Sequence, residues 1–333
     1  MTSLRVAVLG GGRSSEHDVS LASADSVRAG LKDAGHVPID IEVGRDGVWR
    51  RDGAELTVTL GRRLDGVDVV FPALHGPYGE DGTVQGLLEC LDLPYVGAGV
   101  LASALCMDKV AFKDLMAHAG IPQVAHRAVS QESFADEPAA QLHRLAELGL
   151  PVFVKPARLG SSVGIGRVAT ADELPAALKA AFEHDPRALV EAASSGREVE
   201  CSVMGNEDPI ASPPGEILLA AGESGWYDYE AKYTPGGMEL IVPARIPDDV
   251  RERVRELAVT TFKLTGCRGL ARVDFFVSGE EVLVNELNTM PGFTQTSVFA
   301  SLFAASGVTY PEVLDRLVAL AIERYEGEER HRH

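Results

Sequence analysis

Basic residues are scarce in this chain of 333 residues. Lysine and arginine number 31 against 49 aspartates and glutamates, which gives a formal net charge of −18. Nucleic acids are bound by clustered lysine and arginine side chains that neutralise phosphates. The charge balance therefore argues against DNA or RNA as a partner.

Cysteines and long apolar runs are also few. Cys90, Cys106, Cys201 and Cys267 show neither Cys-x-x-Cys spacing nor the density of a disulfide scaffold, which predicts free thiols in a reducing compartment and a cytoplasmic protein. No apolar run reaches the roughly 18–20 residues of a membrane span. The segment that follows Arg5 lacks a signal-peptide layout. We therefore expect no membrane partner.

The usual nucleotide-binding fingerprints are missing too. Residues 10–16 read GGGRSSE, without the Gly-x-Gly-x-x-Gly spacing of a dinucleotide site and without the Gly-Lys-Ser/Thr of a P-loop. A glycine-rich turn between a strand and a helix can still bind a small ligand through backbone N–H groups, and Glu16 there could hold an ammonium group. Simple turn geometry explains the segment equally well.

The first hundred residues alternate between apolar strands and helices. The predicted elements are strand 4–9, a helix that ends at Gly35, strands 37–43 and 67–74, helix 83–91 and a short strand at Tyr95-Val96. This alternation is typical of a mostly parallel sheet that binds ligands at the carboxyl ends of its strands. His75 lies at such an end, as either a structural histidine or a ligand contact.

A second series of elements begins at Asp108, which we expect to cap a helix that ends at Gly120. The elements predicted after it are strand 124–129, helix 138–148, strands 151–155 and 165–168, helix 171–184, strand 188–192, helix 249–264 and helix 311–325. The chain length corresponds to about two or three domains. The predicted fold class is mixed α/β.

Residues 272–288 predict a β-hairpin with a polar face. Side chains alternate between the two faces of a strand, so Asp274 opposite Glu286 would place Arg272 opposite Asn288. That pairing requires an odd number of turn residues, such as 279–281. Two carboxylates, an amide and a guanidinium on one face suit a hard cation that holds phosphate oxygens. The alternative is a hairpin with a merely hydrated polar face.

Residues 155–166 read KPARLGSSVGIG and follow an apolar strand. A glycine-serine turn that leads back into a strand offers N–H and hydroxyl donors beside Lys155. Such a turn favours a lid over a polyphosphate, although an ordinary hairpin turn is the alternative. The segment 222–237 has little periodicity and predicts a long functional loop that contains Lys232 and Tyr233.

Taken in order, these motifs resemble those of the D-alanine–D-alanine ligase family of the ATP-grasp superfamily. The resemblance covers almost the whole chain. It is carried by GGRSSEHDVS (11–20), ALHG (73–76), GEDGTVQG (79–86), SALCMDK (103–109), VKP (154–156) with GSSVG (160–164), YDYEAKY (227–233), RVD (272–274) and ELNTMPGFT (286–294).

The resemblance implies an ATP-grasp fold with an N-terminal parallel-sheet, Rossmann-like domain. The implied domains are an N-terminal α/β domain (1–107) that binds the first D-alanine, a central subdomain (108–203) with the glycine-serine loop, and a C-terminal subdomain (204–333) with a mobile lid and the metal site. It also implies a homodimer. The implied activity is ATP-dependent ligation of two D-alanines through a D-alanyl phosphate and a tetrahedral intermediate, for peptidoglycan precursors.

The resemblance further implies ATP, two Mg²⁺ or Mn²⁺ ions and a role for each matching residue. These are Asp274, Glu286 and Asn288 for the metals; Lys109, Lys155, Lys232, Ser161 and Ser162 for the phosphates; Glu191, Glu198 and Phe276 for the rest of the nucleotide; Glu16, with Ser161 and Tyr233, and His75 for the first D-alanine; Arg272 and the Gly292 N–H for the intermediate; and Ser297 for the second carboxylate.

Two features bear on specificity. Relatives that make D-alanyl-D-lactate generally lack a tyrosine at the position of Tyr233, so its presence favours the dipeptide. The segment 191–194, EAAS, departs from the commoner family pattern, in which a lysine follows the glutamate. The alternatives are a ligase that uses D-lactate or D-serine as second substrate, and a nucleotide-binding regulator without catalysis.

Overall fold

The computed structural model describes residues 3–160, 163–219 and 237–331. Over these ranges the strands form three sheets. The strands are β1 (Arg5–Gly11), β2 (Val37–Val43), β3 (Trp49–Arg51), β4 (Ala54–Glu55), β5 (Val69–Pro72), β6 (His126–Ser130), β7 (Val152–Pro156), β8 (Gly166–Val168), β9 (Arg187–Ala192), β10 (Arg197–Gly205), β11 (Ile210–Ala211), β12 (Gly215–Leu219), β13 (Met238–Ile241), β14 (Gly269–Ser278) and β15 (Glu281–Asn288).

Helices cover these sheets. They are α1 (His17–Asp33), α2 (Thr83–Cys90), α3 (Val100–Met107), α4 (Lys109–His118), α5 (Gln131–Asp136), α6 (Pro138–Ala146), α7 (Leu174–Phe182), α8 (Asp248–Leu264), α9 (Val298–Ala304) and α10 (Tyr310–Glu329), with a 3₁₀ turn at Ala171–Glu173. Asp108 caps α4 as predicted, because its side chain accepts a hydrogen bond from the Ala111 N–H. No helix of the described ranges is long and apolar enough to cross a membrane.

The first sheet has the order β4-β3-β2-β1-β5. Its central strand β1 pairs in parallel with β2 and β5, whereas β3 and β4 form an antiparallel edge. The predicted parallel sheet is thus confirmed for the central strands, and the predicted strand at Tyr95 is a single bridge to Val70. β1 ends at Gly11, whose φ of +94° suits a residue without a side chain. The glycine-rich segment therefore turns at the carboxyl end of the sheet.

The second sheet, β6-β9-β7-β8, is wholly antiparallel and packs its apolar face on α7. The third sheet runs β13-β12-β10-β14-β15, with β11 beside β10, and packs one face on α8. The last helix, α10, shares its core with α1, β1 and β5 of the first sheet. Strand β10 crosses the predicted boundary at residue 203, and the three domain boundaries stay a prediction.

The hairpin β14–β15 has the predicted register but reaches it in another way. Arg272 pairs with Asn288 and Asp274 with Glu286, while Ser278 pairs with Glu281 around a two-residue turn. The expectation of an odd turn was therefore wrong. The register shifts at a β-bulge between Asp274 and Phe275. Asp274 pairs with Glu286, whereas Phe275 pairs with Val284. Asn285 is the extra, unpaired residue of this bulge. Because of it, the number of residues between Asp274 and Glu286 is odd, although the turn itself has two residues.

Candidate active site

A cavity of about 880 Å³ is lined by residues of all three sheets and their loops. This volume is within the range of ligand-binding clefts. It is bordered by every predicted site residue that the structure describes: Glu16, His75, Lys109, Lys155, Glu191, Glu198, Arg272, Asp274, Phe276, Glu286, Asn288, Gly292 and Ser297. Residues as far apart in the chain as Glu16 and Ser297 therefore share one cleft.

Four predicted residues lie outside the described ranges. They are Ser161 and Ser162 of the glycine-serine turn and Lys232 and Tyr233 of the segment 222–237. Their expected contacts stay predictions.

The polar face of β14 is organised around Arg272. Its Nε lies 2.7 Å from Asp274 Oδ1 and its Nη2 lies 2.8 Å from Asp274 Oδ2, so the guanidinium and the carboxylate form a bidentate pair. The same Nε lies 3.0 Å from Oε2 of Glu200, a buried residue of β10. Asn288 Nδ2 donates to Asp274 Oδ2 at 3.0 Å. The guanidinium is thus held between two carboxylates at the wall of the cavity.

The donors on this face are chemically suited to a divalent cation. Among the described residues no three His, Cys, Asp or Glu side chains are grouped as a metal site. Asp274 and Glu286 form a pair of carboxylates, and the third predicted ligand, Asn288, supplies an amide. Oxygen donors of these kinds are the ones that Mg²⁺ and Mn²⁺ prefer. Asp274 is engaged by Arg272 and Asn288, so a cation there has to compete with both.

A second charged cluster lies on β7, β9 and α4. Lys155 Nζ is 2.5 Å from Glu191 Oε2, and Lys113 Nζ is 2.6 Å from Glu191 Oε1. Glu191 is 2% exposed. Burial alone would raise the pKa of its carboxyl group, but the two ammonium groups outweigh burial and lower that pKa to about 2. Glu191 is therefore a carboxylate, shared by two lysines.

Lys109 joins the glycine-serine turn to the hairpin. Its ammonium group donates to the Leu159 carbonyl at 2.9 Å and lies 3.7 Å from Glu286 Oε2. Its backbone N–H donates to the Ala157 carbonyl. Lys109 thus contacts both the start of the glycine-serine turn and Glu286, a predicted metal ligand.

Glu16 and His75 also line the cavity, and Glu16 lies beside the glycine-serine turn, because a Cβ at Gly160 would be 3.3 Å from its Oε2. Glu16 is 6% exposed, and a Cβ at Gly76 would lie only 2.5 Å from its Oε2. Gly76 therefore leaves room for the carboxylate. His75 bonds to Ser23 Oγ at 2.9 Å and to the Met290 carbonyl at 3.1 Å. Burial opposes a charged imidazole, yet the nearby Glu80 and Glu16 carboxylates raise the pKa of His75 overall.

Gly292 and Ser297 lie on the loop between β15 and α9. The Ser297 hydroxyl oxygen accepts a hydrogen bond from the Thr294 N–H at 2.9 Å, and a Cβ at Gly292 would lie 3.4 Å from that oxygen. The loop folds on itself, so the backbone of Gly292 and the hydroxyl group of Ser297 are neighbours in the cavity wall. The backbone N–H of Gly292 and the hydroxyl group of Ser297 thus border the same cavity as Arg272.

Comparison with known proteins identifies the family of this chain. A family model described as "D-ala D-ala ligase C-terminus" matches residues 115–319, and one described as "D-ala D-ala ligase N-terminus" matches residues 57–98. A relative from Deinococcus radiodurans named D-alanine–D-alanine ligase is 47% identical, covering 96% of this chain and 98% of the relative. This chain belongs to the D-alanine–D-alanine ligase family.

Solved structures of similar fold extend this result. The D-alanine–D-alanine ligase from Coxiella burnetii superposes with a TM-score of 0.87 at 35% identity, covering 99% of this chain and 97% of that one. The VanG D-Ala:D-Ser ligase from Enterococcus faecalis gives 0.85 at 36% identity, covering 96% and 100%. This family member therefore has the ATP-grasp fold and is an ADP-forming ligase, and its family depends on ATP and a divalent metal ion.

The structure of this ligase also shows polar residues that sequence reasoning missed. Lys113 lies one helical turn after Lys109, so its place on the same face of α4 was a usable signal. Glu200 lies two residues after Glu198 on β10 and shares its face by strand alternation. No local signal marks Asn285, because a bulge is set by the pairing of two strands.

Proposed function

We propose that this enzyme joins two molecules of D-alanine to D-alanyl-D-alanine while ATP is converted to ADP and phosphate, and that the dipeptide is a peptidoglycan precursor. One observation carries the proposal: acidic, amide and lysine side chains expected for every stage of this reaction border a single cavity. The 47% identity to a relative named D-alanine–D-alanine ligase supports the same substrate.

The proposed reaction has two stages. The carboxylate oxygen of the first D-alanine attacks the γ-phosphorus of ATP, which gives D-alanyl phosphate and releases ADP. The amine of the second D-alanine then attacks the acyl carbon, and the tetrahedral intermediate collapses with loss of phosphate and of a proton from the amine. Both stages concentrate negative charge on phosphoryl and acyl oxygens, so fixed cationic and N–H groups lower the barriers.

In the first stage Lys109 and Lys155 hold the phosphates of ATP, while Glu191, Glu198 and Phe276 contact the adenosine. Glu16 holds the ammonium group of the first D-alanine. His75 is fixed by Ser23 and Met290 and lines the same cavity as Glu16. In the proposed mechanism His75 contacts the first D-alanine.

In the second stage Arg272 and the Gly292 N–H stabilise the tetrahedral intermediate, and Ser297 binds the carboxylate of the second D-alanine. The contacts that support this role are those of the guanidinium with two carboxylates at the cavity wall, which hold it in a fixed position. A fixed donor loses little freedom when charge develops on the acyl oxygen, and this is the physical basis of such stabilisation.

Asp274, Glu286 and Asn288 would hold two Mg²⁺ or Mn²⁺ ions, which neutralise charge on the phosphates when they are bound. Asp274 would then have to release Arg272, at least in part. Glu200 provides the alternative partner, because its Oε2 already lies 3.0 Å from Arg272 Nε. Arg272 would thus keep Glu200 as a partner while Asp274 held a cation.

The residues outside the described ranges complete the proposal. Ser161 and Ser162 contact phosphate as part of the glycine-serine turn. Lys232 adds a phosphate contact from a lid over the site, and Tyr233 with Ser161 positions Glu16. A lid that excludes water would protect an acyl phosphate from hydrolysis.

The second candidate is a ligase with D-serine or D-lactate as the second substrate. The observation that favours it is the structural similarity to an enzyme named as a D-Ala:D-Ser ligase. Tyr233 favours D-alanine over D-lactate by family resemblance. Measurement of phosphate release with ATP, Mg²⁺ and D-alanine, with and without D-serine or D-lactate, separates the candidates. We expect release with D-alanine alone; release that requires either additive would support the second candidate, and no release in any mixture would refute both.

Three broader expectations belong to the same proposal. The ligase is cytoplasmic, it forms a homodimer, and its domains are residues 1–107, 108–203 and 204–333. Light scattering after gel filtration measures the mass of the assembly, and a value near the chain mass of 35.5 kDa would contradict the dimer.

A further inference from the structure

Lys113 is a buried lysine that the proposed mechanism leaves without a task. It lies on α4, is 2% exposed, and does not border the cavity. Its ammonium group is 2.6 Å from Glu191 Oε1. Removal of a lysine ammonium group from water costs several kcal/mol unless its partners compensate. A buried position of this kind is therefore a candidate for a role beyond packing.

The charge count around Glu191 suggests that role. Glu191 also contacts Lys155, at 2.5 Å, and Lys155 does border the cavity. One carboxylate thus faces two ammonium groups. Without Lys113, Glu191 and Lys155 would form a neutral pair, and the attraction of Lys155 for a phosphate would be largely cancelled. With Lys113 present, the three side chains carry a net charge of +1 next to the cavity.

We propose that Lys113 is a positioning residue that shares the carboxylate of Glu191, so that Glu191 does not neutralise Lys155 and Lys155 can bind a nucleotide phosphate. This inference rests on the proposed function, because it assigns Lys155 to the phosphates of ATP. Lys113 acts through Glu191 and touches no substrate. We therefore expect Lys113 to affect binding of the phosphates of the nucleotide and not binding of its adenosine.

The direction of the pKa shifts agrees with this division. Burial is the largest influence on Lys113 and lowers its pKa in spite of Glu191. Burial also acts against Lys155, but the Glu191 and Glu286 carboxylates raise the pKa of Lys155 overall. The lysine that faces the cavity is thus the more firmly protonated of the two.

The test compares Lys113→Met, Glu191→Gln, the double variant and an exposed lysine of α7, Lys179→Met, as a charge-matched control. Calorimetric titration with ADP and with AMP, both in the presence of Mg²⁺, measures the preference for a diphosphate. Loss of an adenosine contact would weaken both nucleotides equally. Neutralisation of Lys155 by an unshared Glu191 carboxylate would weaken ADP more, because ADP carries the additional phosphate.

We expect Lys113→Met to reduce the preference for ADP over AMP about tenfold, which corresponds to about 1.4 kcal/mol. The KM for ATP should rise while the KM for D-alanine stays unchanged. The double variant should recover the preference, because removal of both charges again leaves +1 on Lys155. Lys179→Met should match the parent.

An unchanged preference in folded Lys113→Met, or a double variant that fails to recover it, would overturn the inference. If Lys113→Met does not fold, Glu191→Gln and the double variant still decide, since the inference predicts an ADP preference in both that is at least as strong as in the parent. A weaker preference in either would refute it. Failure of the parent protein to bind ADP would overturn the proposed function as well. If the parent binds ADP and the variants do not behave as expected, only the inference on Lys113 is refuted.

Discussion

The bulge at Asn285 can be tested by removal of a single residue. Asn285 is the unpaired residue between Val284, which pairs with Phe275, and Glu286, which pairs with Asp274. Deletion of Asn285 would leave every one of these pairs intact and give a regular ladder around the two-residue turn. Deletion of Val284 shortens the chain by the same amount, but it moves Asn285 into the position opposite Phe275.

The two deletions should differ strongly in stability. Val284 is fully buried, and its loss from the core costs roughly 1.5–3 kcal/mol. Burial of the Asn285 amide in its place, without hydrogen-bond partners, adds about 1–3 kcal/mol. The Val284 deletion should therefore be about 2.5–6 kcal/mol less stable than the Asn285 deletion, a large share of the roughly 5–15 kcal/mol that stabilises a typical protein.

Urea unfolding followed by circular dichroism measures this difference, and calorimetric titration with ADP and Mg²⁺ reports on the polar face. We expect the Asn285 deletion to unfold within about 2 kcal/mol of the parent, as many single changes do, and to bind the nucleotide. Equal destabilisation by the two deletions would refute the reasoning, because the bulge would then be needed for the fold itself. Loss of nucleotide binding in a stable Asn285 deletion would show that the bend is needed to aim Glu286.

Three further predictions follow from individual side chains. Glu191 has its pKa lowered from 4.5 to about 2, so its stabilising contribution is fully present above pH 4.5 and is lost as the pH falls towards 2; the midpoint of urea unfolding should fall over this window, and Glu191→Gln should flatten the fall. Glu286→Gln should preserve the fold while phosphate release drops about 10²-fold or more, and near-normal turnover would count against a metal ligand. Phe262 is fully buried on α8, so Phe262→Ala should lower the free energy of unfolding by about 3–5 kcal/mol; a cost below 1 kcal/mol in the same urea experiment would show that the core under α8 refills the space.

Several parts of the site were predictable because strand and helix periodicity is local. The alternation along β14 is enough to place Arg272 and Asp274 on one face, and the structure confirms it. The cap at Asp108 follows from one side chain and the N–H three residues later. The odd turn was a wrong prediction for the same reason: a local count cannot include a bulge that exists only between paired strands.

The sequence by itself determined the family, the α/β class and the identity of many residues that border the cavity, because motifs and periodicity are properties of neighbouring residues; Glu200 and Asn285 border it as well and were missed. Tertiary structure decided which charges are shared. Lys113 and Glu191 are 78 positions apart, and only the packing of α4 on β9 brings them to 2.6 Å. Arg272 likewise meets Glu200 only because β10 pairs with β14. Electrostatic interaction depends on distance and burial, and both are set by the fold.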